Sequence, residues 1–227
     1  VQNTDLQQFT YIVSHNLRAP VANALGLTDL MMRVDKHSEL YDKSLVNLKK
    51  SVQSLDTVLK DLNTILSIRD SKGNLEREHV NIKIQIQQAQ AALQEQLKNC
   101  SGALSIDVAE NVSAYTNKAY LYSIFYNLIS NAIKYRAYNR SLQVRVKCFV
   151  HNEKGMVISF SDNGTGFDMN RAKGNIFKLY KRFHTDRKGR GIGLYLIKTH
   201  LEAMGGHIEV SSEVGAGTKF IIYLPKA

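Results

Sequence analysis

Residues 45–66 read LVNLKKSVQSLDTVLKDLNTIL. Leu45, Val52, Leu59 and Leu66 recur every seven residues, and Leu48, Leu55 and Leu62 fill the alternate three-or-four spacing, which is the a/d seam of a long helix. Upstream, Leu6, Val13, Leu27 and Val34, with Leu17, Ala24 and Met31 interleaved, form a looser series of the same kind. The polar stretch from Asp35 to Glu39 separates the two, so the pattern predicts an antiparallel helical hairpin. Two helices cannot enclose such a seam on all sides. The hairpin is therefore expected to pair with a second copy as a homodimer, a four-helix bundle across a two-fold axis.

Downstream of the hairpin the pattern changes. Ser71-Lys72-Gly73-Asn74 is a turn-rich break, and it divides the chain into expected domains at 1–72 and 73–227. Beyond it the sequence predicts helices near 84–97, 118–135 and 192–204. Strands are predicted near 104–108, 142–150, 156–161, 207–211 and 219–224, the last two joined by Val-Gly-Ala-Gly as a hairpin. Helices laid on one face of a mixed or antiparallel sheet make this part α+β.

Composition narrows the class. The chain has 227 residues, 44% hydrophobic and 22% charged, which excludes a disordered tail, a collagen-like chain and a disulfide miniprotein. Cys100 and Cys148 are the only cysteines and have no metal-ligand spacing, so a reducing, cytoplasmic location is expected. No apolar stretch approaches the roughly 20 residues that span a bilayer. Val1 opens the chain without an initiator Met or a leader, as expected of a piece of a longer protein. The net charge of +10 lies wholly beyond residue 70, and positions 171–190 carry eight basic residues against the single acid Asp186. Such a cluster attracts a polyanion. The charge is confined to one glycine-flanked stretch without a nucleic-acid-binding signature, so no nucleic-acid partner is expected.

Three groups of residues bear chemistry. Glycines collect in Asp162-Asn163-Gly164-Thr165-Gly166, after a predicted strand, and in Gly189-Arg190-Gly191-Ile192-Gly193-Leu194, at the opening of a predicted helix. Glycine lets backbone approach a ligand closely, and the free N–H groups of a helix start favour phosphate. Asn127, Asn131 and Lys134 project from one face of the helix before them, with Tyr135 next in line. Amide oxygens are hard ligands suited to Mg²⁺, and an ammonium beside them neutralises phosphate. Finally, His15 stands in Ser-His-Asn-Leu-Arg-Ala-Pro, where Pro20 removes a helix hydrogen bond and is expected to kink the helix beside the imidazole.

In this order the segments resemble a sensor histidine kinase of two-component signalling. Ser14 to Pro20 resembles the family's H box, Asn127 to Tyr135 its N box and Asp162 to Gly166 its first glycine box. Phe177 to Phe183 resembles its F box, Gly189 to Leu194 its second glycine box, and Gly217-Thr218 its last short motif. The resemblance implies a dimerisation and phosphoacceptor hairpin followed by a C-terminal α/β sandwich of the Bergerat ATP-binding type. His15 would be the phosphoacceptor. Asp162 would accept a hydrogen bond from the adenine amino group, and Tyr135 would pack on the base. Asn131, assisted by Asn127, would hold Mg²⁺ against the phosphates of ATP. Lys134 and Arg182 would contact phosphate, while Gly164, Gly166, Gly189, Gly191, Gly193, Leu194 and Thr218 complete the nucleotide site. The phosphoryl group would pass from His15 to an aspartate of a response-regulator receiver domain. The sensor region would lie upstream, in a receptor that can carry a membrane anchor.

Two positions depart from the family pattern. Asn16 follows the phosphoacceptor where Glu or Asp is usual. Its amide oxygen can still orient the imidazole through Nδ1–H but is a very poor proton acceptor, so autophosphorylation is expected to survive and be slow. Ala19 stands where many relatives carry Thr or Asn to position a water, so phosphatase activity toward the partner is expected to be weak. Asn16 is also the feature that favours an alternative, a catalytically weak pseudokinase that signals by nucleotide or partner binding.

Overall fold

The computed structural model describes residues 2–70, 75–151, 155–181 and 191–226, with the side chains at 2–12, 15, 69, 70 and 151 left out of that description. The chain divides into two compact units, Val1–Asp70 and Ser71–Ala227. The expected break at Ser71–Asn74 lies outside the described residues. No helix among the described residues is long and apolar enough to cross a membrane.

The first unit is a helical hairpin of α1 (Gln2–Arg33) and α2 (Glu39–Asp70). Ser38 begins α2: its backbone and side chain both meet the Asp35 carbonyl, and its Oγ accepts from Tyr41 N at 3.2 Å. Glu39 and Asp42 place negative charge in the first turn of α2, where the helix dipole favours it. The α1 helix continues from Gln2 to Arg33 with Pro20 inside it.

The heptad seam of α2 is split by the fold. Ser44, Val58, Leu62 and Ile65 are buried and Leu48 and Leu55 half-buried, whereas Leu45, Val52, Leu59 and Leu66 remain 45–53% exposed. Both series have period seven, and they lie on neighbouring stripes of the same helix. In α1, Val13, Leu17, Ala24, Leu27 and Met31 are half-buried, while Val21, Leu25 and Met32 are exposed.

The second unit begins with β1 (Glu78–Asn81), α3 (Ile82–Ala92), α4 (Gln94–Asn99), β2 (Ala103–Asp107) and β3 (Ser113–Thr116). It continues through α5 (Lys118–Lys134), β4 (Gln143–His151), β5 (Gly155–Asp162) and α6 (Met169–Ala172), and ends with α7 (Gly193–Ala203), β6 (His207–Glu213) and β7 (Gly217–Leu224). Five strands form a sheet in the order β2-β4-β5-β7-β6, with β2 parallel to β4 and the other pairs antiparallel. The short strands β1 and β3 pair separately. The architecture is therefore the expected α+β, with a mixed sheet. Two elements depart from expectation: β1 and β3 are additional, and the single helix expected at 84–97 is two helices meeting at Leu93, whose φ of −112° leaves the helical range.

Alternation along the strands explains the layering. Val144 and Val146, Met156, Ile158 and Phe160, and Phe220, Ile222 and Leu224 are buried on one face. Against them pack Ile82, Ile86 and Ala89 of α3, Leu121, Ile124, Phe125, Leu128 and Ile129 of α5, and Ile197 and Leu201 of α7. The opposite face carries Arg145, Lys147, Ser159, Lys219 and Glu209 at the intervening positions. One register step past Val146, Phe160, Phe220 and Val210, the helix-covered face changes character. There Val144, Asp162, Thr218 and Ser212 stand in one row. This polar end of an apolar layer sets the site.

Candidate functional site

Asn117 starts α5 by accepting from Tyr120 N at 2.9 Å through its side-chain oxygen. Leu121, Ile124, Phe125, Leu128, Ile129, Ala132 and Ile133 form the buried stripe of this helix, which leaves Asn127, Asn131 and Lys134 half-buried along its flank. Asn127 donates from Nδ2 to the Ser123 carbonyl at 2.8 Å, so its Oδ1 is turned toward α7. There a Cβ at position 193 would stand 2.9 Å from Asn127 Oδ1 and 3.6 Å from Asn131 Nδ2. Gly193 is the first residue of α7, so the two amides and the start of that helix face each other with no room between them for a larger residue.

About 12 Å further along α5, at 1.5 Å per residue, the end of the helix meets the first glycine loop. Thr165 donates to the Tyr135 carbonyl from both N (2.8 Å) and Oγ1 (3.0 Å). Gly164 N donates to Asp162 Oδ1 at 2.8 Å. Burial pushes the Asp162 carboxyl upward from its ordinary value, and the backbone N–H groups of Gly164 and Thr218 pull it the other way. The result is a shielded carboxylate with fixed direction. Gly166 has φ +59°, and a Cβ there would run into the Glu213 carbonyl, so only glycine fits this turn. Ser212 Oγ links the loop to β7: it accepts from Phe167 N at 3.0 Å, donates to the Gly217 carbonyl at 2.9 Å and lies 3.0 Å from Thr218 Oγ1.

Lys134 Nζ donates to the Tyr135 hydroxyl at 2.7 Å and sits 4.4 Å from the centre of that ring. Gly191 has φ +75°, and a Cβ there would collide with the backbone of Tyr180 and Lys181. Leu194 is half-buried against the core beside it. Arg182 and Gly189 lie outside the described residues, as do Arg187, Lys188 and Arg190 of the basic run. The His15 side chain is likewise not described, while Asn16 is half-buried and Ala19 exposed on α1.

Asn127, Asn131 and Gly193 thus form one cluster, and Tyr135, Asp162, Gly164, Gly166 and Thr218 another, both mounted on α5. Motif reading quoted Thr165 within the first glycine box without a role, and missed the other residues that fasten the second cluster, Ser212 and Arg140. Only the turn-rich composition around them hinted at a role.

Among the described residues no three His, Cys, Asp or Glu side chains gather to hold a metal by themselves. The oxygen donors of Asn127 and Asn131 suit a hard cation whose remaining positions are filled by water and phosphate, so the donor chemistry fits Mg²⁺ held jointly with a nucleotide. The narrow space at Gly193 and the shielded Asp162 acceptor fit a nucleotide with phosphates at one end and a base at the other.

Comparison with known proteins places this geometry. Residues 116–227 match the family of histidine kinase-, DNA gyrase B-, and HSP90-like ATPases. Phytochrome-like protein Cph1 of Synechocystis sp. is 28% identical over 227 residues, covering 98% of this chain and 29% of Cph1. Sensor histidine kinase RppB of the same genus is 27% identical over 229 residues, covering 96% of this chain and 49% of RppB. The chain thus spans less than half the length of either relative. Among solved structures, histidine kinase ThkA in complex with response regulator protein TrrA superposes with a TM-score of 0.70 at 18% identity, covering 100% of this chain and 63% of that one. Full-length ShkA in complex with AMPPNP gives 0.66 at 20% identity, covering 97% of this chain and 46% of that one. Residues 116–227 therefore carry the Bergerat-type ATPase domain of the histidine kinases, and along nearly its whole length the chain is similar to sensor histidine kinases.

Proposed function

We propose that this chain autophosphorylates His15 from Mg-ATP and passes the phosphoryl group to an aspartate of a response-regulator receiver domain. The observation that carries the reading is the pair of clusters on α5: amides facing the start of α7 at one end, and a shielded Asp162 carboxylate at the other. Their spacing along one rigid helix suits a triphosphate and a base. ATP binding is further supported by the AMPPNP complex of ShkA, and a receiver partner by the ThkA–TrrA complex.

In this reading Asp162 accepts from the adenine amino group, Tyr135 packs on the base, and Lys134, with Arg182, contacts phosphate. Asn127 and Asn131 hold Mg²⁺ and orient the phosphates. When bound, Mg²⁺ neutralises charge on the phosphate oxygens. The Gly loops exclude side chains from the phosphate path, and positioning with charge neutralisation supplies most of the catalysis. The unprotonated nitrogen of a neutral His15 imidazole attacks the γ-phosphorus, a P–N bond forms, the P–O bond to ADP breaks, and the cationic ring releases its one remaining N–H proton to water. Asn16 can fix the tautomer but cannot take that proton, which makes the step slow.

A homodimer is part of this proposal. Leu45, Val52, Leu59 and Leu66 form an exposed stripe with a seven-residue repeat on α2, Val21, Leu25 and Met32 are exposed on α1, and a second hairpin would cover such apolar surface. Domains at 1–72 for phosphotransfer and 73–227 for ATP binding follow from the same reading, as does a cytoplasmic location. Asn16 keeps one alternative in view, a pseudokinase that binds nucleotide without transfer. Incubation with γ-labelled ATP and Mg²⁺ separates the two. Slow label incorporation, abolished in Asp162→Asn, supports the kinase, and nucleotide binding with no label supports the pseudokinase.

A further inference from the structure

Arg140 lies between α5 and β4, outside every motif quoted above, yet its guanidinium gathers three carbonyls from two loops. Nε donates to the Asn163 carbonyl at 2.8 Å, and Nη2 donates to Gly164 at 2.8 Å and to Gly215 at 2.5 Å. All three acceptors belong to backbone that carries the site. Asn163 and Gly164 directly follow Asp162, and the Gly164 amide is the group that holds the Asp162 carboxylate. Gly215 sits in the turn between β6 and β7, and its own N–H returns to the Thr165 carbonyl at 2.7 Å. That turn leads into Gly217, whose Cα lies so close to the Asp162 carbonyl that a Cβ would overlap it. Asn163 is fastened from its other side, accepting from Gln143 N at 2.8 Å and donating to the Ser141 carbonyl at 3.0 Å. Arg140 is therefore the cross-brace between the loop after β5 and the β6–β7 turn. A planar guanidinium presents donors in fixed directions and can serve several carbonyls at once, whereas an ammonium acts as a point.

We propose that Arg140 is a positioning residue for nucleobase recognition: by tying Asn163 and Gly164 to Gly215 it holds the Asp162 carboxylate in the direction from which it accepts the exocyclic amino group of adenine. The inference rests on the nucleotide-binding reading above. Arg140 touches no reacting atom; it acts through backbone it restrains.

The test is equilibrium binding of Mg-ATP and of Mg-inosine triphosphate, which carries an oxygen where ATP carries the amino group, to the whole chain and to Arg140→Gln and Arg140→Lys. The parent should prefer ATP. Arg140→Gln should lose about tenfold in ATP affinity while inosine triphosphate changes by no more than about twofold, and Arg140→Lys should recover part of the preference. If the Gln variant does not fold, the Lys variant carries the same comparison. Unchanged preference in the variants, or an equal loss for both nucleotides, would overturn the role of Arg140 alone. A parent that binds neither nucleotide refutes the nucleotide reading and this inference with it, and one that binds both alike refutes recognition of the adenine amino group and so overturns this inference.

Discussion

Gly193→Ala separates ligand chemistry from folding more cleanly than any other single substitution here. Gly193 is the first residue of α7 and has an ordinary helical environment, so alanine satisfies the backbone. Alanine is about 1 kcal/mol better than glycine inside a helix, and somewhat less at its first position. The cost falls elsewhere. The new methyl would stand 2.9 Å from Asn127 Oδ1, against an ordinary carbon–oxygen contact of about 3.3 Å. Asn127 must withdraw by about half an ångström, and its Nδ2 is held at 2.8 Å from the Ser123 carbonyl, so the amide tilts rather than slides. Because misplacement of about 1 Å can cost two orders of magnitude, the variant should lose about tenfold in autophosphorylation rate. Its melting temperature should equal or exceed the parent's. The assays are labelled-ATP kinetics and a thermal melt on the same preparations. Parent-like kinetics would refute the placement of Asn127 in the site, and a melting temperature several degrees lower would refute the steric reasoning.

Other outcomes follow from separate features. Asn16→Asp should speed autophosphorylation by about 10²-fold, with the gain growing as pH rises through the carboxylate range, because a proton acceptor then adjoins His15; an unchanged pH–rate profile would contradict this. His200 is buried against Tyr120, with ring centres 4.4 Å apart and planes tilted by 31°, and burial pushes its imidazole down to about 4. An unfolded histidine titrates near 6.5, so between these values the unfolded chain binds the extra proton. Stability is therefore lost as the pH drops from about 6.5 to about 4, by about 3 kcal/mol in total. Urea melts at pH 7 and pH 4.5 should show a smaller loss for His200→Leu than for the parent, and equal losses would count against it. Val52→Lys with Leu59→Lys, both on the exposed stripe, should convert a dimer to a monomer in sedimentation with helix content retained. A doubly substituted chain that still dimerises would place the interface elsewhere.

The hairpin was legible because period seven is visible in one dimension, but which of two period-seven stripes faces the chain's own partner helix was not. Leu45 and Leu48 are both leucines on the same seam, and only α1 decides that Leu48 turns inward. Pro20 shows the opposite limit: a local rule makes proline a helix breaker, yet α1 continues past it as helix. In the second unit the longer strands announced themselves by alternation. The strands at Glu78–Asn81 and Ser113–Thr116 did not, since four residues with one or two buried positions leave no period to read. The break at Leu93 was hidden because a buried leucine continues the helical pattern across it.

For the candidate site, the shared face of Asn127 and Asn131 follows from a spacing of four and needs no tertiary information. Their meeting with Gly193 depends on how α5 and α7 pack, which spacing does not reveal. Arg140 was invisible for the same reason. Its three carbonyls lie 23, 24 and 75 residues away, and nothing in the composition of the turn distinguishes it from any exposed arginine.

The most direct measurement of the central claim is the chemical nature and position of the label after incubation with γ-labelled ATP and Mg²⁺. A P–N bond to imidazole predicts label that is lost in acid, survives in base and is absent from His15→Gln while nucleotide binding persists in that variant. Label that survives acid, or that remains in His15→Gln, would contradict the assignment of His15 as the residue that receives the phosphoryl group.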